Sequence, residues 1–172
     1  MKRGLKMKYN KRVLNFDMDG TIANLYQMEN WLENLEKEQL DFSLAKPIFN
    51  DNFISKIIEL KKKGFYIQII TWLPHSVSIE YQSIVSRQKL EWIRKYFPIV
   101  DAYYILPYGK NKASVCNKYE LNFLIDDNIE IVNSWNESFK DKNGFVETLG
   151  ILTNSSSEAL DEIANELLVM FE

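Results

Sequence analysis

The chain carries one cysteine in 172 residues, Cys116, which excludes a disulfide scaffold and any zinc site built on four thiolates. Glycine (6) and proline (4) are sparse, and no tract is repetitive or of low complexity, so nothing marks a linker between two domains. One domain spanning 1–172 is the reading that follows, and a chain of this size can bury roughly 70% of its unfolded surface without staples. No uninterrupted apolar stretch approaches the length that crosses a bilayer. The basic start (Lys2, Arg3, Lys6, Lys8, Lys11, Arg12) is not followed by the apolar region of a signal peptide. A cytoplasmic protein with no membrane partner is therefore expected. An excess of positive charge is missing too: 21 Lys and Arg against 24 Asp and Glu leave a formal net charge of -3, which argues against a dedicated nucleic-acid binder. The basic cluster reads as a solvated terminus ahead of the first strand.

What is present is an alternation. Residues 13–16 form an apolar run ending abruptly in Asp17, which reads as a buried strand delivering a carboxylate at its C-terminal end. Leu25, Met28, Leu32 and Leu35 recur at helical spacing and predict one amphipathic helix. A second helix follows over 52–63 and is stopped by Gly64. Residues 65–70 predict a strand ending at Thr71, residues 76–96 a helix of irregular apolar pattern, and 102–106 a third strand. A short helix is predicted over 111–119, a strand over 122–125 ending in Asp126-Asp127, a helix through Ile129, Val132 and Trp135, and a fifth strand over 144–147. Ser155 and Glu158 have capping-box spacing and open a last helix, with Leu160, Ile163, Ala164, Leu167, Leu168 and Phe171 on one face. Strands and helices in this order predict an α/β fold: a three-layer, Rossmann-like parallel sheet of about five strands, helices on both faces.

In such sheets ligands sit beyond the carboxyl ends of the strands, so the residues ending each strand carry the chemistry. They are Asp17 and Asp19, Thr71, the segment with Lys110 and Lys112, and Asp126 with Asp127. Two carboxylates at i, i+2 beside an adjacent pair would repel one another unless a cation is bound. Every candidate ligand is an oxygen, which favours a hard cation, and Mg²⁺ above all where a phosphate completes the shell. A threonine hydroxyl and a lysine nearby would hold the remaining phosphate oxygens. The inventory is that of phosphoryl transfer.

The segment Phe16-Asp17-Met18-Asp19-Gly20-Thr21 resembles motif I of the haloacid dehalogenase (HAD) superfamily. Thr71 after its apolar strand is similar to motif II, Lys112 or Lys110 to motif III, and Leu124-Ile125-Asp126-Asp127 to motif IV. The motifs stand in the family's order and span 13–127. They look most similar to the 5'(3')-deoxyribonucleotidase branch, although Trp72 departs from the small or polar residue expected there. The resemblance implies a phosphate monoester hydrolase acting through an aspartyl phosphate. Asp17 would be the nucleophile, and Asp19 the acid and base, its backbone carbonyl on the metal. Thr71 with Lys112 or Lys110 would bind phosphate, Lys112 being preferred because it opens a helix beside the fourth strand. Asp17, Asp19, Asp127 and Asp126 would form the Mg²⁺ site, with Asp127 the direct ligand of the acidic pair and Asp126 behind it.

A phosphoacceptor receiver domain gathers similar residues, but its acidic pair comes at the first strand and its lysine comes last, so it fails on order. A non-catalytic binding module of the same fold is the other alternative, opposed by the joint presence of the acids and the lysine. The resemblance also implies a small helical cap at 22–50, one long helix and a connector, carrying Tyr26, Trp31, Phe42 and Phe49. The expected partner is a phosphorylated small molecule, a nucleoside monophosphate among the candidates; a small lid also admits a phosphorylated polymer end or phosphoprotein, and a homodimer would close the site instead. His75 reads as a loop histidine without catalytic duty, and Cys116 as a buried, inert thiol.

Overall fold

Short runs rich in β-branched and aromatic residues form five strands in a computed structural model that describes residues 11–141 and 148–172: β1 (Arg12–Phe16), β2 (Phe65–Trp72), β3 (Ala102–Leu106), β4 (Leu121–Asp126) and β5 (Gly150–Leu152). All neighbouring pairs are parallel, in the order β3-β2-β1-β4-β5. β1 is the centre: Leu14 lies level with Ile67 on one side and with Phe123 on the other. From β1 the chain steps outward to β2 and β3, then returns to β4 on the opposite side. The strand ends between β1 and β4 therefore border the crevice where ligands bind in open α/β sheets.

Among the described residues five α-helices complete the layers: α1 (Trp31–Glu36), α2 (Asp51–Lys62), α3 (Ile79–Tyr96), α4 (Ile129–Ser138) and α5 (Ser157–Met170). On one face α2, α3 and α5 bury Phe53, Ile57, Trp92, Ile93, Leu160 and Leu167 against the alternate strand residues Leu14, Phe16, Ile67 and Ile69. On the other face Trp135 of α4 packs with Ile70, Leu106 and Leu124. The expected α/β sheet with helices on both faces is the one observed. Among the described residues no helix is long and apolar enough to cross a membrane.

Local structure departs from expectation in the stripe after β1, in the segment 111–119, at the end of β2 and at the cap of α5. The stripe Leu25, Met28, Leu32, Leu35 is not one helix: a 3-10 turn (Leu25–Gln27) leads to extended Met28 and left-handed Asn30 (φ 51°), and only the six residues of α1 are α-helical. Asparagine tolerates that conformation, and the break lets Leu25 enter the core while Leu32 stays exposed. The connector holds a second 3-10 turn (Phe42–Leu44) that buries Phe42. The helix expected over 111–119 is a single 3-10 turn (Lys112–Val115). Asn111 accepts a bond from Ala113 N, and Asn122 donates to the carbonyls of Asn117 and Glu120, so asparagine side chains compete with helical bonding. β2 continues one residue past Thr71, through Trp72. The cap of α5 is Ser156, whose hydroxyl accepts from Ala159 N, whereas Ser155 is left-handed (φ 61°). Three consecutive serines hide that register. The fifth strand expected at 144–147 lies outside the described residues, and the observed β5 follows at 150–152.

Candidate functional site

The hydrogen-bond ladder carries β1 straight into the site, for Asp17 N still donates to Ile125 O of β4 at 2.9 Å. The chain then turns through Gly20 (φ 81°), where an added Cβ would stand 2.4 Å from Asp127 Oδ2 and from the Tyr26 ring. The left-handed backbone and the missing side chain are both required at this point. Thr21, next in sequence, fastens the loop across the crevice: its Oγ1 donates to Asp127 Oδ1 and accepts from Asp127 N, both at 3.1 Å.

The carboxylates of Asp17, Asp126 and Asp127 each place an oxygen within 4.8 Å of the others. Lys112, 3% exposed, is inserted among them, with Nζ 2.5 Å from Asp17 Oδ1 and 2.7 Å from Asp126 Oδ2. Lys110 is exposed, and its carbonyl accepts the Trp72 indole N–H at 2.8 Å. Of the two lysines, Lys112 is the one in the acidic cluster. Crowding and burial together shift the pKa values of the cluster. Burial, then the Asp17 charge, pushes Asp126 up to about 7 and Asp127 to about 6. Burial opposes the Lys112 ammonium, but Asp17 and Asp126 overcome it and raise its pKa.

Asp19 stands apart from the three-carboxylate cluster. Its Oδ2 is paired with Lys89 of α3, a lysine with no exposed surface, while its Oδ1 is buried with no hydrogen-bond partner among the described residues. Burial raises the Asp19 pKa against the opposing charge of Lys89. Lys89 also donates to Thr71 Oγ1 and to Trp72 O, both at 2.8 Å. Thr71 is itself fully buried, so its hydroxyl meets Lys89 from beneath the strand end. Nothing in the motif reading pointed to Lys89. The signal was there in α3, where Tyr81, Val85, Lys89 and Trp92 fall on one buried stripe, and a lysine in such a stripe requires a buried counter-charge.

A cavity of about 430 Å³ opens above the carboxylates. Asp17, Asp19, Lys112, Asp126 and Asp127 form its charged floor, and Tyr26, Trp31, Phe42, Trp72, His75 and Tyr108 are among its walls. Tyr26 packs edge-on against Trp31, with centroids 5.0 Å apart, and burial with the carboxylates around it keeps its phenol protonated. His75 lies against Tyr108 at 4.3 Å and pairs through Nδ1 with Ser76 Oγ. Cys116 is half-buried below the site; burial and Glu120 push its thiol up to about 12, which leaves it unreactive.

Three oxygen-bearing carboxylates brought this close, with two of them titrating high, form a donor set that fits a hard divalent cation. The arrangement is that of an α/β protein with an acidic, lysine-bridged centre at its sheet's carboxyl end. The chain matches no protein-family model and no curated protein. In fold it is similar to D,D-heptose 1,7-bisphosphate phosphatase from Burkholderia thailandensis, at a TM-score of 0.50 and 10% identity over 92% of this chain and 99% of that one. The HAD domain of the effector protein Lem4 from Legionella pneumophila aligns at a TM-score of 0.47 and 16% identity, covering 94% and 96%. At these identities the likeness is one of fold, an α/β architecture shared with a known phosphatase.

Proposed function

We propose that the protein is a metal-dependent phosphate monoester hydrolase of the HAD type, with Asp17 as nucleophile. The observation that carries this reading is the Lys112 ammonium set between Asp17 and Asp126 at the end of the central strand. A cation there would neutralise an incoming phosphoryl group beside the carboxylate that attacks it. Asp17 would attack phosphorus as the bond to the leaving oxygen breaks, with Asp19 supplying that oxygen's proton. A water would then attack the aspartyl phosphate, giving its proton to Asp19 and releasing phosphate and the free Asp17 carboxylate. Asp19 lines the cavity, and the ion pair of its Oδ2 with Lys89 would hold the carboxyl in place for that transfer. Thr71, expected to bind phosphate, is fully buried and outside the cavity lining; it would act through its bond to Lys89, which also holds Asp19.

Asp17, Asp127 and Asp126 would hold the metal, which we take to be Mg²⁺, with the Asp19 backbone carbonyl as a further ligand. When bound, it supplies charge neutralisation to the phosphoryl oxygens. Residues 22–50 act in this reading as a small lid, since Leu25, Tyr26, Trp31 and Phe42 all line the cavity. A nucleoside monophosphate remains a substrate of the proposed class.

The test is phosphate release from an aryl phosphate by the purified chain, with Mg²⁺ and after exhaustive EDTA treatment. Metal-dependent release is expected, and its abolition in Asp17→Asn with the fold retained by circular dichroism. Wild-type rates in that variant would remove Asp17 from its role. Rates indifferent to EDTA would remove the metal.

A further inference from the structure

The cavity that covers the carboxylates is built unevenly. Among its described lining residues, Lys112 is the single lysine or arginine, Glu36 adds a negative charge, and most of the rest are apolar or aromatic. A second cavity of about 260 Å³ adjoins it and shares Trp72, Tyr108, Lys112, Asn128 and Ile131. Its own polar additions are Asn111, Ser134 and the acidic Glu130. Lys112 is already engaged by Asp17 and Asp126, so a second anionic group on the substrate would meet carboxylates and, among the described lining residues, no further lysine or arginine.

The aromatic side chains, by contrast, form a prepared surface. Trp72, directly after Thr71, lies 5.1 Å from Tyr108 by ring centroids, and Tyr108 lies 4.3 Å from His75, so three rings contributed by the β2 end and the β3 loop stand together. The indole is pinned by its hydrogen bond to Lys110 O. Lys112 Nζ is 5.3 Å from the Trp72 ring centroid, which puts this surface immediately beside the phosphate-neutralising charge. Tyr26 and Trp31, from the segment after β1, line the same space. A volume of about 430 Å³ falls within the ~300–1,000 Å³ usual for small-molecule sites. Fixed aromatic rings above a carboxylate floor favour a flat, apolar guest over a second anionic group.

We infer that the substrate is a small monophosphate ester whose leaving group bears a neutral aromatic ring and no second anionic group, with the Trp72–Tyr108–His75 surface setting that preference. The inference rests on the phosphatase reading above and adds to it the substrate class and the residues that select it. It separates this chain from the bisphosphate chemistry named for its structural neighbour. The same ring chemistry is offered by a simple aryl phosphate, with the ring directly on the phosphate oxygen, and by a nucleoside monophosphate, with the ring one sugar away.

The experiment compares kcat/KM of the full chain with Mg²⁺ on 1-naphthyl phosphate, nucleoside monophosphates, a hexose monophosphate and a hexose bisphosphate. The ring-bearing monophosphates should exceed the hexose monophosphate by about tenfold or more, a gap of about 1.4 kcal/mol, with the bisphosphate slowest. The relative rates on naphthyl and nucleoside esters then tell which source of the ring is preferred. Trp72→Ala should collapse the aryl-to-hexose ratio toward one, chiefly through KM on the aryl ester. That ratio cancels any fraction of misfolded enzyme. A bisphosphate turned over as fast as the aryl ester, or a ratio unmoved in Trp72→Ala, overturns the inference. Should no ester be hydrolysed, titration with naphthylmethyl phosphonate and butyl phosphonate, followed by calorimetry, separates the two claims. Preferred binding of the aryl phosphonate, lost in Trp72→Ala, upholds the ligand class while the hydrolase reading falls. Equal binding of both overturns the ligand class.

Discussion

Lys89 is the residue on which most of the site's second row depends. It is wholly buried, and its ammonium is shared among the Asp19 carboxylate, the Thr71 hydroxyl and the Trp72 carbonyl. Lys89→Met keeps the bulk and removes the charge, leaving Asp19 without its partner. Because Asp19 is partly open to the cavity, the expected loss of stability is roughly 2 to 4 kcal/mol, toward the lower end for a broken buried pair. Urea denaturation measures it, and turnover should fall with it because Asp19 and Thr71 lose their orientation. Full stability and activity in this variant would show that the contacts are incidental. Gly20→Ala is expected to cost more than its size suggests, since the added carbon meets Asp127 and Tyr26 in a left-handed turn. Thermal melting and phosphate release should both report that loss. The carboxylates that the sequence disclosed, Asp17, Asp19, Asp126 and Asp127, share one property: each lies at or just beyond the end of an apolar strand run. Lys89 sits 18 residues beyond Thr71 in a helix and reaches the site through a tertiary contact, which local pattern does not announce.

The segment 22–50 shows what pattern alone could and could not reveal among the elements. Its apolar spacing looks helical, yet the chain there is tied to α3 by two buried bonds: Tyr81 OH donates to Leu40 O at 2.7 Å and Trp92 Nε1 to Ala45 O at 2.6 Å. Those anchors, with Leu25 and Phe42 in the core, decide its course and override helical propensity. Tyr81→Phe leaves the Leu40 carbonyl buried and unpaired, at an expected cost of about 1 to 3 kcal/mol. If the segment is the lid proposed here, KM should rise more than kcat falls. A loss of stability with unchanged KM would mean that the segment only completes the core. The long elements were legible because their sequences repeat one rule many times: α2 and α5 carry a clear apolar face, and β1, β2 and β4 are short apolar runs. The 112–115 turn was not legible, because asparagine side chains at 111 and 122 bind backbone groups that a helix would have used.

At the scale of the molecule, the sheet gathers negative charge from two adjacent strand ends and offsets only part of it with Lys112 and Lys89. The folded-state pKa values of Asp126 and Asp127, about 7 and about 6, lie above those of the unfolded chain. For an acid whose folded pKa is raised, the contribution to stability is fully present below the unfolded value and is lost as pH rises through the folded one. Without metal, these two groups should therefore weaken the fold between about pH 4 and pH 7. The proposed divalent cation would bind the ionised carboxylates and would have to displace protons at lower pH. The rise in melting temperature caused by Mg²⁺ should be larger near pH 7.5 than near pH 5, as read by thermal shift with and without EDTA. An equal or reversed effect would place the cation elsewhere. The parallel order of the sheet was legible because alternating strands and helices admit few right-handed arrangements. The crowding of the carboxylates was not, because it depends on how closely β1 and β4 converge.

The covalent role of Asp17 is the claim on which the rest of this account stands, and acid-quenched mass spectrometry of the enzyme mixed with an aryl phosphate and Mg²⁺ tests it most directly. A phosphorylated peptide whose modified residue is Asp17 is expected, absent in Asp17→Asn and accumulating in a variant of Asp19 that slows the second half-reaction. Phosphate release at undiminished rate with no phosphate ever found on Asp17, and with turnover surviving in Asp17→Asn, would contradict it.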